Sequence, residues 1–168
     1  MPEAFEPREI LAALAEQRVE FVLIGGLAAT LHGSPHLTQD VDITPRREHD
    51  NLSRLSAALD GLGAKVRAAG VEGGLPLSHD ADSLGDVGVW SLTTPFGDLD
   101  ISFVPAGTTG FPDLTRDAVP ITVEGVDVRV ASLADIVRSK EAADRPKDHL
   151  TLRTLREILA RREMTPGT

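Results

Sequence analysis

A chain of 168 residues with 41% hydrophobic content is long enough to bury one core and short for two, so residues 1–168 read as a single domain. The absence of cysteine removes disulfides, thiolate zinc sites and cysteine nucleophiles, and no run of about 18 apolar residues offers a membrane span. A net charge of −9, with no Tyr and one Trp, leaves nucleic acid as a partner only through a local patch of Lys and Arg, such as the one from Arg138 to Arg162. The acidic, proline-broken opening MPEAFEPREI does not read as a signal peptide, and the expected location is cytoplasmic.

In chain order, Ile10, Leu11, Leu14 and Ala15 recur at helical spacing and predict an amphipathic helix over 7–17. Residues 19–24, VEFVLI, are β-branched and apolar and read as a buried strand that ends at Gly25-Gly26. A short helix over 27–32 stops at Gly33, the turn Gly33-Ser34-Pro35 follows, and 41–44 is a second strand closed by Pro45. Leu52, Leu55, Ala58, Leu59 and Leu62 mark a helix over 49–62. Residues 65–88, rich in Gly and Asp, predict one strand and a mobile loop. Strands at 87–93 and 99–104 flank a hairpin turn at 94–97, and a second hairpin joins 121–123 to 126–130 around Glu124-Gly125. Two helices, 133–143 and 147–162, close the chain. The fold class is therefore α+β with a mixed sheet: a core over about 19–130 and a helical part over about 132–162.

In a strand, successive side chains alternate faces, so Asp-Val-Asp-Ile puts Asp40 and Asp42 on one side and anchors Val41 and Ile43 in the core on the other. Two close carboxylates repel unless a cation sits between them, and hard oxygen ligands suit Mg²⁺. Asp98-Leu99-Asp100-Ile101 repeats the arrangement, and Asp100, deeper in the apolar run, is favoured over Asp98 as a third ligand. A solvated outer face accounts for either pair alone. The glycine pair adds a step where backbone N–H groups can approach a phosphate, although neither GxxxxGK[ST] nor GxGxxG is present. No HExxH or GxSxG occurs, and most of the five histidines read as surface or turn residues.

Near the C-terminus, Ser132 and Asp135 form a capping-box pattern that starts a helix at Leu133. Leu133, Ile136, Val137 and Lys140 then share a face, which places a lysine on the apolar stripe, where it either snorkels outward or meets an anion. Asp148 shares a face with Leu152, Leu155 and Leu159, and its position in a first helical turn also suits capping.

Strand, Gly-Gly, short helix, strand with DxD, and a later Asp on a strand resemble the nucleotidyltransferase superfamily typified by DNA polymerase β. The run IGGLAATLHGSPHLTQDVDI over 24–43, with SLADIVRSK over 132–140 and RPKD over 145–148, resembles its AbiEii and MenT branch, many members of which are toxins of toxin–antitoxin pairs. The resemblance implies a nucleotidyltransferase fold with the two C-terminal helices packed over the site. It also implies transfer of NMP from an NTP to an acceptor hydroxyl with release of pyrophosphate. Asp40, Asp42 and Asp100 would bind Mg²⁺ or Mn²⁺ and, with Lys140 and Asp148, form the catalytic set. Gly25, Gly26, Thr38 and Lys140 would contact the nucleotide. The acceptor is tRNA or a small hydroxylated molecule such as an antibiotic, with protein also open, and a cognate antitoxin and no membrane are the implied partners. Gly26 stands where many members have Ser, and His36 where Arg is common, features that keep a catalytically silent relative in view.

Overall fold

The structure, a computed structural model, describes residues 4–165. Helix α1 (Pro7–Glu16) opens with proline in its first turn, where no N–H is needed, and buries Ile10, Leu11 and Leu14. The apolar strand β1 (Phe21–Ile24) leads directly into α2 (Gly25–Leu31), then β2 (Asp40–Pro45). Helix α3 (His49–Leu62) turns the stripe Leu52, Leu55, Ala58, Leu59 and Leu62 inward and stops at Gly63 in the left-handed conformation.

Beyond it come β3 (Lys65–Ala68), β4 (Val71–Leu75), α4 (Ala81–Asp86), β5 (Val89–Thr94) and β6 (Gly97–Ser102). The rest is α5 (Phe111–Leu114), the hairpin β7 (Val119–Val123) and β8 (Val126–Val130), α6 (Leu133–Ala143) and α7 (Pro146–Met164). No helix among the described residues is long and apolar enough to cross a membrane.

The strands form one mixed sheet in the order β4-β3-β5-β6-β2-β1-β8-β7, in agreement with the α+β expectation. Strand β2 lies antiparallel to β1 and parallel to β6. The β2–β6 register sets Asp40 beside Asp98 and Asp42 beside Asp100, while Val41, Ile43, Leu99 and Ile101 are fully buried on the opposite face. One face of this parallel pair is therefore core and the other carries four carboxylates. Ile24, the last residue of β1, pairs with Asp42, so the glycine step begins beside that carboxylate.

Residues 65–88 depart from expectation: they contain the β3–β4 hairpin and α4 rather than one strand and a loop. Strand β4 is a sheet edge with Gly73 and Gly74 at positive φ and exposed side chains, so it lacks an apolar alternation to read. Helix α4 is held by a capping box between Asp80 and Ser83, too short for periodicity to reveal. The helix after β1 also starts two residues early, at Gly25. Two histidines are not surface residues: His32 is buried, with Nε2 2.8 Å from the Ala131 carbonyl and Nδ1 3.0 Å from Arg162 Nη1, and the His79 ring lies 2.6 Å from Ser56 Oγ.

Candidate active site

Asp40, Asp42 and Asp100 converge: one carboxylate oxygen from each lies within 4.8 Å of the others. The cause is the parallel register, which stacks the outward positions of β2 and β6 side by side. Burial, then the charges of Asp40 and Asp100, push the Asp42 carboxyl up to about 7, while Lys147 and Lys140 pull it down. Asp100 is also raised, by burial and by Asp40, against the opposing pull of Arg67. Three converging oxygens that resist joint ionisation are the donor set a hard divalent cation such as Mg²⁺ satisfies. Asp98, on the same face, stands outside this triad.

At the glycine step, Gly25 has φ +73° and sits against the Asp42 side chain, which occupies the place a Cβ would take. Gly26 abuts Thr38, 3.0 Å from the hydroxyl to the place of a Cβ. Thr38 in turn donates its hydroxyl to Asp40 Oδ1 at 2.8 Å. The sequence-predicted residues Gly25, Gly26, Thr38, Asp40 and Asp42 thus form one contiguous wall of a cavity of about 750 Å³.

Helix α6, the start of α7 and its N-cap Arg145 also line this cavity, through Lys140, Arg145, Lys147 and Asp148. Ser132 caps α6 by accepting from the Asp135 N–H at 3.1 Å, but Asp135 turns to Arg138 (3.0 Å) instead of closing the box. Leu133, Ile136 and Val137 are buried as the stripe requires, and Lys140 extends from it into the cavity wall. Asp148, only 1% exposed, accepts from Lys140 Nζ at 3.4 Å, Arg145 Nε at 2.7 Å and the Arg145 backbone N–H at 3.3 Å. Burial raises its carboxyl, yet these cations and hydrogen bonds hold it below the usual carboxylate value. Asp148 therefore both caps α7 and orders the two cations. Sequence reasoning missed Arg67 on β3, whose guanidinium reaches Asp98 at 3.0 Å and Asp100 at 2.9 Å. The alternation Lys65-Val66-Arg67, with its apolar centre, was the available signal.

No family model matches the chain, and no curated protein matches it. Solved structures do. The chain superposes on the lincosamide antibiotic adenylyltransferase LnuA, in a lincomycin-bound form, with a TM-score of 0.60 at 15% identity over 92% of this chain and 99% of that one. The fold is that of the nucleotidyltransferases. ANT(2″)-Ia in complex with adenylyl-2″-tobramycin gives a TM-score of 0.58 at 19% identity, covering 91% of this chain and 87% of its own. TM1012 from Thermotoga maritima, a candidate nucleotidyltransferase, gives 0.51 at 21% identity over 96% and 98%.

Proposed function

We propose that this chain is a metal-dependent nucleotidyltransferase that moves NMP from an NTP to the hydroxyl of a small acceptor molecule and releases pyrophosphate. The observation that carries the reading is the convergence of Asp40, Asp42 and Asp100 within 4.8 Å beside the glycine step, where Gly25 packs against Asp42 and Gly26 against Thr38. Mg²⁺ held by the three aspartates would supply charge neutralisation and alignment for in-line displacement at the α-phosphorus. Gly25 and Gly26 begin α2, so their backbone N–H groups lack partners within the helix and are the donors a triphosphate would meet. Lys140 and Lys147, which line the same cavity, take up the charge that grows on the departing pyrophosphate. Asp100 accepts the proton of the acceptor hydroxyl as its oxygen bonds to the α-phosphorus and the bond to the bridging oxygen breaks. Thr38 and Asp148 hold these groups in place through the contacts described above.

A small, cationic, hydroxylated acceptor is favoured by the net charge of −9, which repels a polyanion, and by the lincomycin- and tobramycin-bearing relatives in fold. A tRNA end is the second reading; the exposed arginines of α7, Arg153 and Arg156, are the local patch that favours it. It is also the reading with which a toxin role and a cognate antitoxin belong. The deciding experiment incubates wild type with each of the four α-labelled NTPs, Mg²⁺ and, separately, aminoglycosides, lincosamides and total tRNA. Label on a drug supports the first reading and label on tRNA the second. Absence of label on every acceptor, with no pyrophosphate released, would leave a nucleotide-binding protein without transferase activity.

A further inference from the structure

Arg67 comes from a strand that is hydrogen-bonded to neither strand of the triad. Strand β3 is separated from β6 by β5, and the β3–β5 register of Lys65 with Thr93 and Val66 with Leu92, continued by one residue, sets Arg67 opposite Ser91. Ser91 is itself opposite Asp100. The small serine side chain leaves a path over β5, and the guanidinium spans it. The β3–β4 register also slips between Val66 and Ala68, so Arg67 sits at an irregularity of the kind that re-aims a side chain. The fork is divided: Nη1 is 3.0 Å from Asp98 Oδ2 and Nη2 is 2.9 Å from Asp100 Oδ1.

Such a pair does little for stability, because the Arg67 and Asp98 side chains are 40% and 39% exposed. The division has another consequence. If Asp100 is taken by a cation, the guanidinium keeps Asp98 as its partner and need not enter solvent unpaired. This gives Asp98, which the triad leaves out, a place in the site. An arginine stays charged throughout the working pH range, so its pull on Asp100 is permanent.

We propose that Arg67 is a positioning residue that stands in for a cation at Asp98 and Asp100 and yields Asp100 when a divalent ion binds, so that it sets how tightly that ion is held. The inference rests on the metal-binding reading of the triad given above.

The test is Mn²⁺ alone, titrated into wild type, Arg67→Gln, Arg67→Lys, Arg153→Gln and Asp42→Ala, with free Mn²⁺ followed by electron paramagnetic resonance. Removing a positive charge this close to the ligands tightens Mn²⁺ binding by about tenfold in Arg67→Gln, within the span that Coulomb attraction near a protein surface allows. Arg67→Lys, which keeps the charge, stays near wild type, as does Arg153→Gln, which removes the same charge from the exposed face of α7. Unchanged or weaker binding in Arg67→Gln, while Asp42→Ala abolishes binding, overturns the inference and leaves the metal reading intact. Failure of wild type to bind Mn²⁺ overturns both. Nitrogen-15 NMR of the wild-type arginine side chains is an independent check if Arg67→Gln does not fold. The Arg67 Nε signal, assigned by its loss in Arg67→Lys, shifts on addition of Mg²⁺; a signal that stays put overturns the inference.

Discussion

Gly25 and Asp42 fill one another's space: the position of a Cβ on Gly25 is occupied by the Asp42 carboxylate, so this carboxylate reaches its place only because residue 25 has no side chain. The left-handed φ of +73° at Gly25 adds a second, independent reason for glycine. Gly25→Ala therefore displaces Asp42 as well as straining the backbone. We expect at least a hundredfold loss of transfer activity and a stability cost of about 1–2 kcal/mol, read by label transfer and denaturant unfolding. Gly26→Ala is the milder change, since its helical φ tolerates a side chain and Thr38 must move only a few tenths of an ångström. Equal losses in the two variants would contradict this account of the step.

The raised carboxyl of Asp42 makes ion-free stability depend on pH in an unusual direction. Between the ordinary value of 3.8 and about 7, the folded protein holds a proton that the unfolded chain has released. The Asp42 contribution to stability thus falls as pH rises through that window and levels off above it. A bound cation reverses the cost, so saturating Mg²⁺ raises the melting temperature more at about pH 8 than at about pH 5. Thermal scans with and without Mg²⁺ check this, and the difference disappears in Asp42→Asn.

Asp148 is the shared partner of Lys140 and Arg145, and it is almost fully buried. Asp148→Ala leaves both cations without their carboxylate and frees the Arg145 N–H at the start of α7. Loss of about 3 kcal/mol is expected, the lower end for breaking a buried pair because the Arg145 side chain is half exposed. Activity should fall more than Lys140→Met alone produces, because the substitution disorders two cations of the cavity wall. Calorimetric unfolding and label transfer on the two variants give the comparison.

Asn51 offers a contrast away from the cavity. Fully buried, it accepts from the Glu20 N–H at 2.7 Å and donates to the carbonyls of Glu20 and Arg46 at 2.9 and 2.8 Å, tying α3 to the residue before β1 and to the end of β2. Asn51→Ala strands those backbone groups and costs about 2–3 kcal/mol. Activity per folded molecule stays within twofold of wild type at a temperature where the variant is folded, measured with circular dichroism as the folding control; the factor is set at about the scale of an uncoupled site.

The parts of the site that were legible in the sequence are those fixed by strand periodicity. Asp40, Asp42 and Asp100 each alternate with core residues, and an adjacent glycine pair marks where backbone must come close. The helix from Leu133 was legible because its apolar stripe is regular. Arg67 was not, because its partners lie 31 and 33 positions away in sequence and the path to them depends on an irregular strand and a small residue on β5. His32 was hidden for a similar reason: its partners, Ala131 and Arg162, are brought to it only by the closing of β8 on β1 and the return of α7. The edge strand β4, with Gly73 and Gly74, carried no periodic signal, since it buries almost nothing.

The most direct test of the central claim is a crystal of the protein grown with Mn²⁺ and a non-hydrolysable NTP analogue, with anomalous scattering used to locate the metal. Manganese is expected on oxygens of Asp40, Asp42 and Asp100, with the triphosphate lying along Gly25 and Gly26 and within reach of Lys140. Manganese bound elsewhere, or a triphosphate on another face of the sheet with the triad bare, would contradict it.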